Sequence, residues 1–364
     1  MNKNLIKKYL ISFLCANVTS LGIGGVLFTT SCSCSNSKES LIFISNNSSN
    51  LYVDYGAAGN SGNNKISILS PINIDDYYFK IINNETSKKL DDATIKVNKN
   101  GQLEWSSFTK ENIPPSSISV QLIKKNDKTI HSNKLHYSIN LSLPSSIYKY
   151  DETDSNKLLG FTDEFLANPN EYSMCRLLSI PNNVTEVAQN AFYGSSTYQT
   201  LIPSFIKNLK TGKELRRVGV KAFYASQSII YCDLSESEKI QSLGEDSFGR
   251  YEFLIALKLP NASNISISYD VFGDYRSLST LTIPSLFSIN SSSQYSLYFN
   301  YSQLQTIIFD GFDSQPSFDG WQQASFNDIA PVGWIYSTGD YDSTALLNDL
   351  KTKFGNTFNN WEAK

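Results

Sequence analysis

The sequence predicts a mainly β chain: a β-sandwich, then a solenoid of stacked repeats, closed by a helical cap. Three observations carry this. Residues 51–143 alternate short β-prone runs with polar turn-formers. Beyond residue 190 a phenylalanine-anchored apolar pattern returns at intervals of 31, 25, 24, 27 and 27 residues. Helical spacing is confined to a stretch near the end. The chain's 364 residues correspond to two or three domains at about 150 residues each. Charged residues make up 18% and apolar residues 40%, which argues against wholesale disorder and against a multi-span membrane protein. Lys+Arg 31 against Asp+Glu 34 gives a formal charge of -3, so there is no basic excess to collect nucleic-acid phosphates.

Residues 1–31 have the layout of an export signal. Lys3, Lys7 and Lys8 precede an apolar stretch over 10–28, and the first acid is Glu39. Ser12, Asn17, Thr19, Ser20 and three glycines dilute that stretch, which disfavours a permanent spanning helix. The following Thr29-Thr30-Ser31-Cys32 resembles a bacterial lipobox, in which a signal peptidase cuts before a cysteine that carries thioether-linked acyl chains. The resemblance makes Cys32 the expected lipidation site and implies a membrane partner on the extracellular face. Thr29 stands where the usual pattern has Leu, and Cys34 is the competing site. Residues 32–49, rich in Ser, Asn and Lys, read as a disordered tether.

Residues 50–144 read as the sandwich. Strands are expected at Leu51-Tyr52-Val53 and over 65–69, 77–82, 93–97, 117–124 and 134–143. The runs at 117–122 and 135–141 have the period of two that turns one face to a core and the other to water. Six such strands between polar turns fit an immunoglobulin-like (Ig-like) sandwich. The segment Val97-Asn-Lys-Asn-Gly101-Gln-Leu103-Glu-Trp105 resembles a feature of Ig-like domains in bacterial surface proteins, a Gly turn before a strand ending in a core Trp.

Residues 145–335 carry the repeat. The anchors are Phe192, Phe223, Phe248, Phe272, Phe299 and Phe326. Six residues after each of the first four a strand pattern opens, as in Tyr198/Leu201, Ile229/Cys232/Leu234, Leu254/Leu257/Leu259 and Leu278/Leu281/Ile283. Cys175/Leu178/Ile180 and Leu304/Ile307/Phe309 complete the series. Five residues before most anchors stands another apolar side chain: Val187, Val218, Leu243, Ile267, Trp321. Units that cannot cover their own apolar face must stack, which predicts a solenoid. The run from Leu178-Ser-Ile180-Pro181 through Ala191-Phe192-Tyr-Gly194 resembles the leucine-rich repeat unit of BspA-like surface proteins. The resemblance spans about residues 158–330 and implies one short parallel strand per repeat and a second segment packing Ala-Phe inward.

Leu158-Leu159-Gly160-Phe161 with Phe165 is expected to cover the first coil. A helix over 343–354, stopped by Gly355, is expected to cover the last within a cap of residues 336–364, together with Trp334 and Trp361.

Little here points to chemistry. The two histidines, His131 and His136, both fall in the sandwich, so no Ser-His or Cys-His pair is available to the repeats. No zinc-ligand spacing occurs, and Gly22-Ile-Gly24-Gly25 lies in the signal rather than between a strand and a helix. Asp75/Asp76, Asp91/Asp92 and Glu236/Glu238 read as solvated turns, and Cys175 and Cys232 as buried, reduced thiols. We therefore expect no enzyme, no metal and no cofactor. What remains is surface: Arg176, Gln199, Ile202, Tyr231, Asp233, Ile255, Lys258, Thr282 and Ile308 should face outward and form a ligand-binding face for an extracellular protein or glycan. The competing expectation is an antigenic or structural coat without a dedicated ligand.

Overall fold

The computed structural model describes residues 42–46, 48–90, 94–194, 199–290, 297, 303–318, 321, 326 and 329–364. The chain divides into two compact units, Met1–Leu141 and Ser142–Lys364. The signal, Cys32, Cys34, most of the tether and Asp91/Asp92 lie outside the described residues, as does Phe299.

The first unit is antiparallel. Strands β1 (Ile44–Ser45) and β4 (Ser67–Ile68) pair as a short ribbon. Strand β5 (Tyr77–Asn83) pairs with β8 (Ser117–Lys124), and β8 with β9 (His131–Ser142), which also takes β2 (Asn50–Asp54). A second sheet has the order β3 (Gly59–Lys65), β7 (Gln102–Trp105), β6 (Ile95–Val97). Leu103, Phe108, Ile118, Val120 and Leu122 are buried at the centre.

The turn before β7 requires glycine. Gly101 has φ +76, and a Cβ there would sit 2.5 Å from the Ile66 carbonyl oxygen. Asn98 holds the same turn, accepting from the N–H groups of Asn100 and Gln102 through Oδ1. Two expectations are corrected here. Strand β3, with the sequence Gly-Asn-Ser-Gly-Asn-Asn-Lys, has no β-prone residue, and it pairs because Gly59 leaves room for the Trp105 ring. Strand β8 does not present a wet face. Ser119 and Gln121 are buried, Ser119 Oγ donating to Asn84 Oδ1 at 2.6 Å and Gln121 Nε2 to the Ser132 carbonyl at 2.8 Å.

The second unit is built from two parallel ladders, each taking short strands from successive repeats. One ladder runs β12 (Leu177–Ser179), β14 (Asn208–Lys210), β16 (Tyr231–Asp233), β18 (Ala256–Lys258), β20 (Thr280–Pro284), β21 (Thr306–Asp310). It continues through β22 (Gly333–Ser337) and β23 (Trp361–Ala363), so residues 336–364 supply strands as well as the cap helix. The other ladder runs β11 (Lys157–Phe161), β13 (Glu186–Val187), β15 (Arg217–Val218), β17 (Ser242–Leu243), β19 (Ser266–Ile267), with β10 (Tyr148–Tyr150) antiparallel at its edge.

Register repeats chemistry. Leu158, Val187, Val218, Leu243 and Ile267 stand in one buried file. Phe192, Phe223, Phe248 and Phe272 form another, with neighbouring ring centroids 5.0, 5.1 and 5.7 Å apart and planes within 18°. Two residues before each of these phenylalanines the backbone turns left-handed, at Asn190, Lys221, Asp246 and Asp270. Asn and Asp suit that conformation, and Lys221 adopts it at a cost of about 1–2 kcal/mol.

Both ends are closed. At the start, Phe161 packs edge-on to Phe192 at 4.7 Å and against Phe165 of helix α1 (Asp163–Ala167) at 4.6 Å. Gly160 has φ +135, and a Cβ there would overlap the Ala191 carbonyl oxygen. At the other end, helix α2 (Ser343–Phe354) starts on Asp342, which accepts from the N–H groups of Thr344 and Ala345, and stops at Gly355 with φ +63. Its Leu346, Leu347, Leu350 and Phe354 are buried, and Phe326 packs between Phe354 and Phe358.

Candidate binding face

In the first ladder one residue of each of these strands points inward in register: Leu178, Leu209, Cys232, Leu257, Leu281 and Ile307 are register partners and buried. Their flanking neighbours therefore point outward, because side chains alternate along a strand. On that outer face Tyr231 is 45% exposed; Ile255, which precedes β18, is 37% exposed. Arg176, just before β12, is also exposed, and its guanidinium donates to the Ser173 and Phe205 carbonyls. Asp233 and Lys258 are half-buried.

Of the nine expected face residues, Ile202, Thr282 and Ile308 are buried, and Ile202 and Gln199 are off the ladder. Thr282 and Ile308 have outward parity but are buried. Lys258 lies on β18 and reaches Asp310 of β21 at 2.9 Å, so its side chain crosses β20, where Thr282 is its register partner. Gln199 and Ile202 are not on a strand of this ladder. The interval after Phe192 is the longest, and the chain comes back to Phe192 within it, the Leu201 N–H donating to the Phe192 carbonyl at 2.9 Å and the Gly194 N–H to the Gln199 carbonyl at 2.7 Å. Ile202 is buried beside this turn, Gln199 is exposed, and the strand falls at β14 with Ile206 and Leu209 inward. The outward residues there are Asn208 and Lys210, which the spacing from Phe192 missed.

Trp334 is not part of the terminal packing. It stands on the outer face of β22, 36% exposed, with Tyr336 at 38% two residues on. Extending the ladder spacing from Ile307 to Ile335 is the signal that could have found both. Trp361 is buried, its Nε1 donating to the Ala330 carbonyl at 3.1 Å.

The electrostatics are those of paired surface ions. Burial pushes the Asp310 carboxyl up, but hydrogen bonds from Lys258 and Thr338 outweigh it, and the net shift is downward. On the second ladder Lys157, Glu186 and Arg217 are consecutive register partners, with Glu186 3.1 Å from Lys157 and 2.6 Å from Arg217. Burial pushes the thiol of Cys175 up to about 12 and that of Cys232 well above its usual range, so neither is a nucleophile at neutral pH. His136 Nδ1 lies 2.9 Å from Ser119 Oγ, and His131 Nδ1 2.9 Å from Gln121 Nε2. Glu236 pairs with Lys210 at 2.8 Å. Among the described residues no group of three His, Cys, Asp or Glu could hold a metal ion.

Residues 170–305 match the model of the BspA type Leucine rich repeat region, in six copies. The matched residues take in β12 to β20, so this part of the ladders is similar to a BspA-type leucine-rich repeat region, a similarity that points to a surface or binding protein. No curated protein matches the chain.

Proposed function

We propose that this chain is a lipid-anchored surface protein that binds an extracellular protein or glycan through the outer face of its repeat strands. The observation that carries the reading is the exposure of Tyr231, Trp334 and Tyr336 on strands held in register by a buried core, with Ile255 exposed just before β18. Large aromatic side chains on a fixed scaffold lose little freedom on binding and bury much apolar area. The two parallel ladders support a solenoid, and the antiparallel sheets of the first unit support the Ig-like sandwich. Anchoring rests on Cys32: each buried acyl methylene contributes about 0.8 kcal/mol, and two or three chains hold a protein on a bilayer without a spanning helix.

The test uses the intact chain, fluorescently labelled, against arrays of matrix proteins and glycans. Saturable binding weakened at least tenfold by Tyr231→Ala with Trp334→Ala supports the face. Absence of saturable binding by folded protein favours a coat role. Metabolic labelling with palmitate, lost in Cys32→Ala, tests the anchor separately.

A further inference from the structure

Strands β22 and β23 lie beyond residues 170–305, so the repeat-family match does not cover them. On β22 the two rings Trp334 and Tyr336 are exposed, and Ile335 between them is buried in register with Ile307 and Ala363. Both rings therefore stand on the outward side, about 6.6 Å apart along the strand at about 3.3 Å per residue. Their backbone is fixed on both edges. The Trp334 N–H donates to the Gln305 carbonyl at 2.8 Å, and the Ile335 carbonyl accepts from the Lys364 N–H at 2.9 Å.

Polar groups border this pair. Thr306 of β21 is the register partner of Trp334 on one side, and Glu362 of β23 on the other. The exposed Glu362 carboxylate lies 3.0 Å from the Lys364 ammonium. Beyond Ile308, the register partner of Tyr336, Asp310 takes Lys258 at 2.9 Å and the Thr338 hydroxyl at 2.7 Å. The described charges beside the rings thus come in opposite pairs, and a charged occupant would have to break one to make its own contact.

That chemistry selects the class of occupant. An added peptide strand needs an open backbone edge, and β22 has spent both of its edges on β21 and β23. A sugar ring carries C–H groups on its face and hydroxyls on its rim, which suits two aromatic side chains bordered by a carboxylate, an ammonium and a hydroxyl. We propose that Trp334 and Tyr336 form a platform for a neutral glycan, a β-linked pyranose packing its C–H face on the rings and turning its hydroxyls to Glu362, Lys364 and Thr306. This rests on the binding-face reading and names its ligand class. Tyr231 stands four strands away, about 19 Å at about 4.8 Å per strand, so a disaccharide on the platform probes it without reaching Tyr231.

The test titrates the intact chain with two neutral β-linked disaccharides, cellobiose and lactose, followed by saturation-transfer NMR of the sugar. Expected are saturable binding of at least one, transfer strongest at the hydrogens of one ring face, and roughly tenfold weakening by Trp334→Ala. Trp334→Phe, which keeps a ring, should lose less. Glu362→Gln should weaken binding several-fold, and cellobiuronic acid, which adds a carboxylate, should bind no more tightly than cellobiose. Should Trp334→Ala misfold, Tyr336→Ala and Glu362→Gln carry the same test. Absence of saturable binding by both disaccharides, unchanged binding by the folded variants, or tighter binding of cellobiuronic acid would each overturn the proposal. Capture of a matrix protein through Trp334 without sugar binding would overturn the glycan and leave the binding face standing, whereas absence of both would remove the face as well.

Discussion

Replacing Phe223 by Ala should unpick the repeat region while leaving the first unit folded. Phe223 is fully buried and stacks on both sides, with Phe192 at 5.0 Å and 18° and Phe248 at 5.1 Å and 12°. Truncating a buried Phe to Ala costs about 3–5 kcal/mol through lost transfer energy and the cavity left behind. Each aromatic pair adds about 0.5–1.5 kcal/mol beyond its area. Phe223→Leu keeps most of the apolar bulk but loses both ring pairs, which predicts about 1–3 kcal/mol for that variant. Because the core of each repeat packs mainly on its neighbours, the loss should be felt first in β14, β16 and β18. The assay is native-state hydrogen exchange by mass spectrometry, with strands β5 and β8 as an internal control, since a chain of two units need not unfold in one step. A loss below about 1 kcal/mol for Phe223→Ala would refute the view that the phenylalanine file is the repeat core. Equal loosening of β5 and β8 would refute the separation into two units.

Three further outcomes follow from the geometry. Gly160→Ala should destabilise the repeat region by about 1–3 kcal/mol, because its φ of +135 and the Ala191 carbonyl both exclude a Cβ; an unchanged melting curve would contradict it. Cys175 and Cys232 should resist iodoacetamide at pH 8 in the folded protein and react after denaturation, read by peptide mass mapping. The lowered Asp310 carboxyl contributes stability that is fully present above the ordinary carboxylate value of about 4 and is lost as pH falls through its lowered folded value. Lys258→Met should therefore raise the Asp310 midpoint in a carboxyl NMR titration and shrink the loss of stability on the acid side, and an unmoved midpoint would show that Lys258 does not hold it down.

Much of the repeat architecture is readable from residues alone. Val187, Val218, Leu243 and Ile267 recur at a constant offset from their phenylalanines, and they are the residues paired in the second ladder. The cap helix is equally legible, because Asp342, the apolar spacing of Leu346, Leu347 and Leu350, and Gly355 are local signals. Strand β3 is not legible, since only the Trp105 ring across it makes glycine the right residue at position 59. The candidate face is half legible. Alternation puts Tyr231 outward, but nothing in the run Val332-Gly-Trp334-Ile-Tyr336 says which of its apolar residues turns inward until β22 is aligned with β21.

The sequence by itself determined the period, the buried files and the closed ends, because each repeat must restate one apolar face for its neighbours to cover. Tertiary structure decided where the strand after Phe192 falls, since the extra residues of that interval could have been spent on either side of it. It also decided which outward residues meet solvent. Periodicity belongs to a single unit, whereas exposure depends on what the next units lay across it, as Lys258 does in reaching over Thr282 to Asp310.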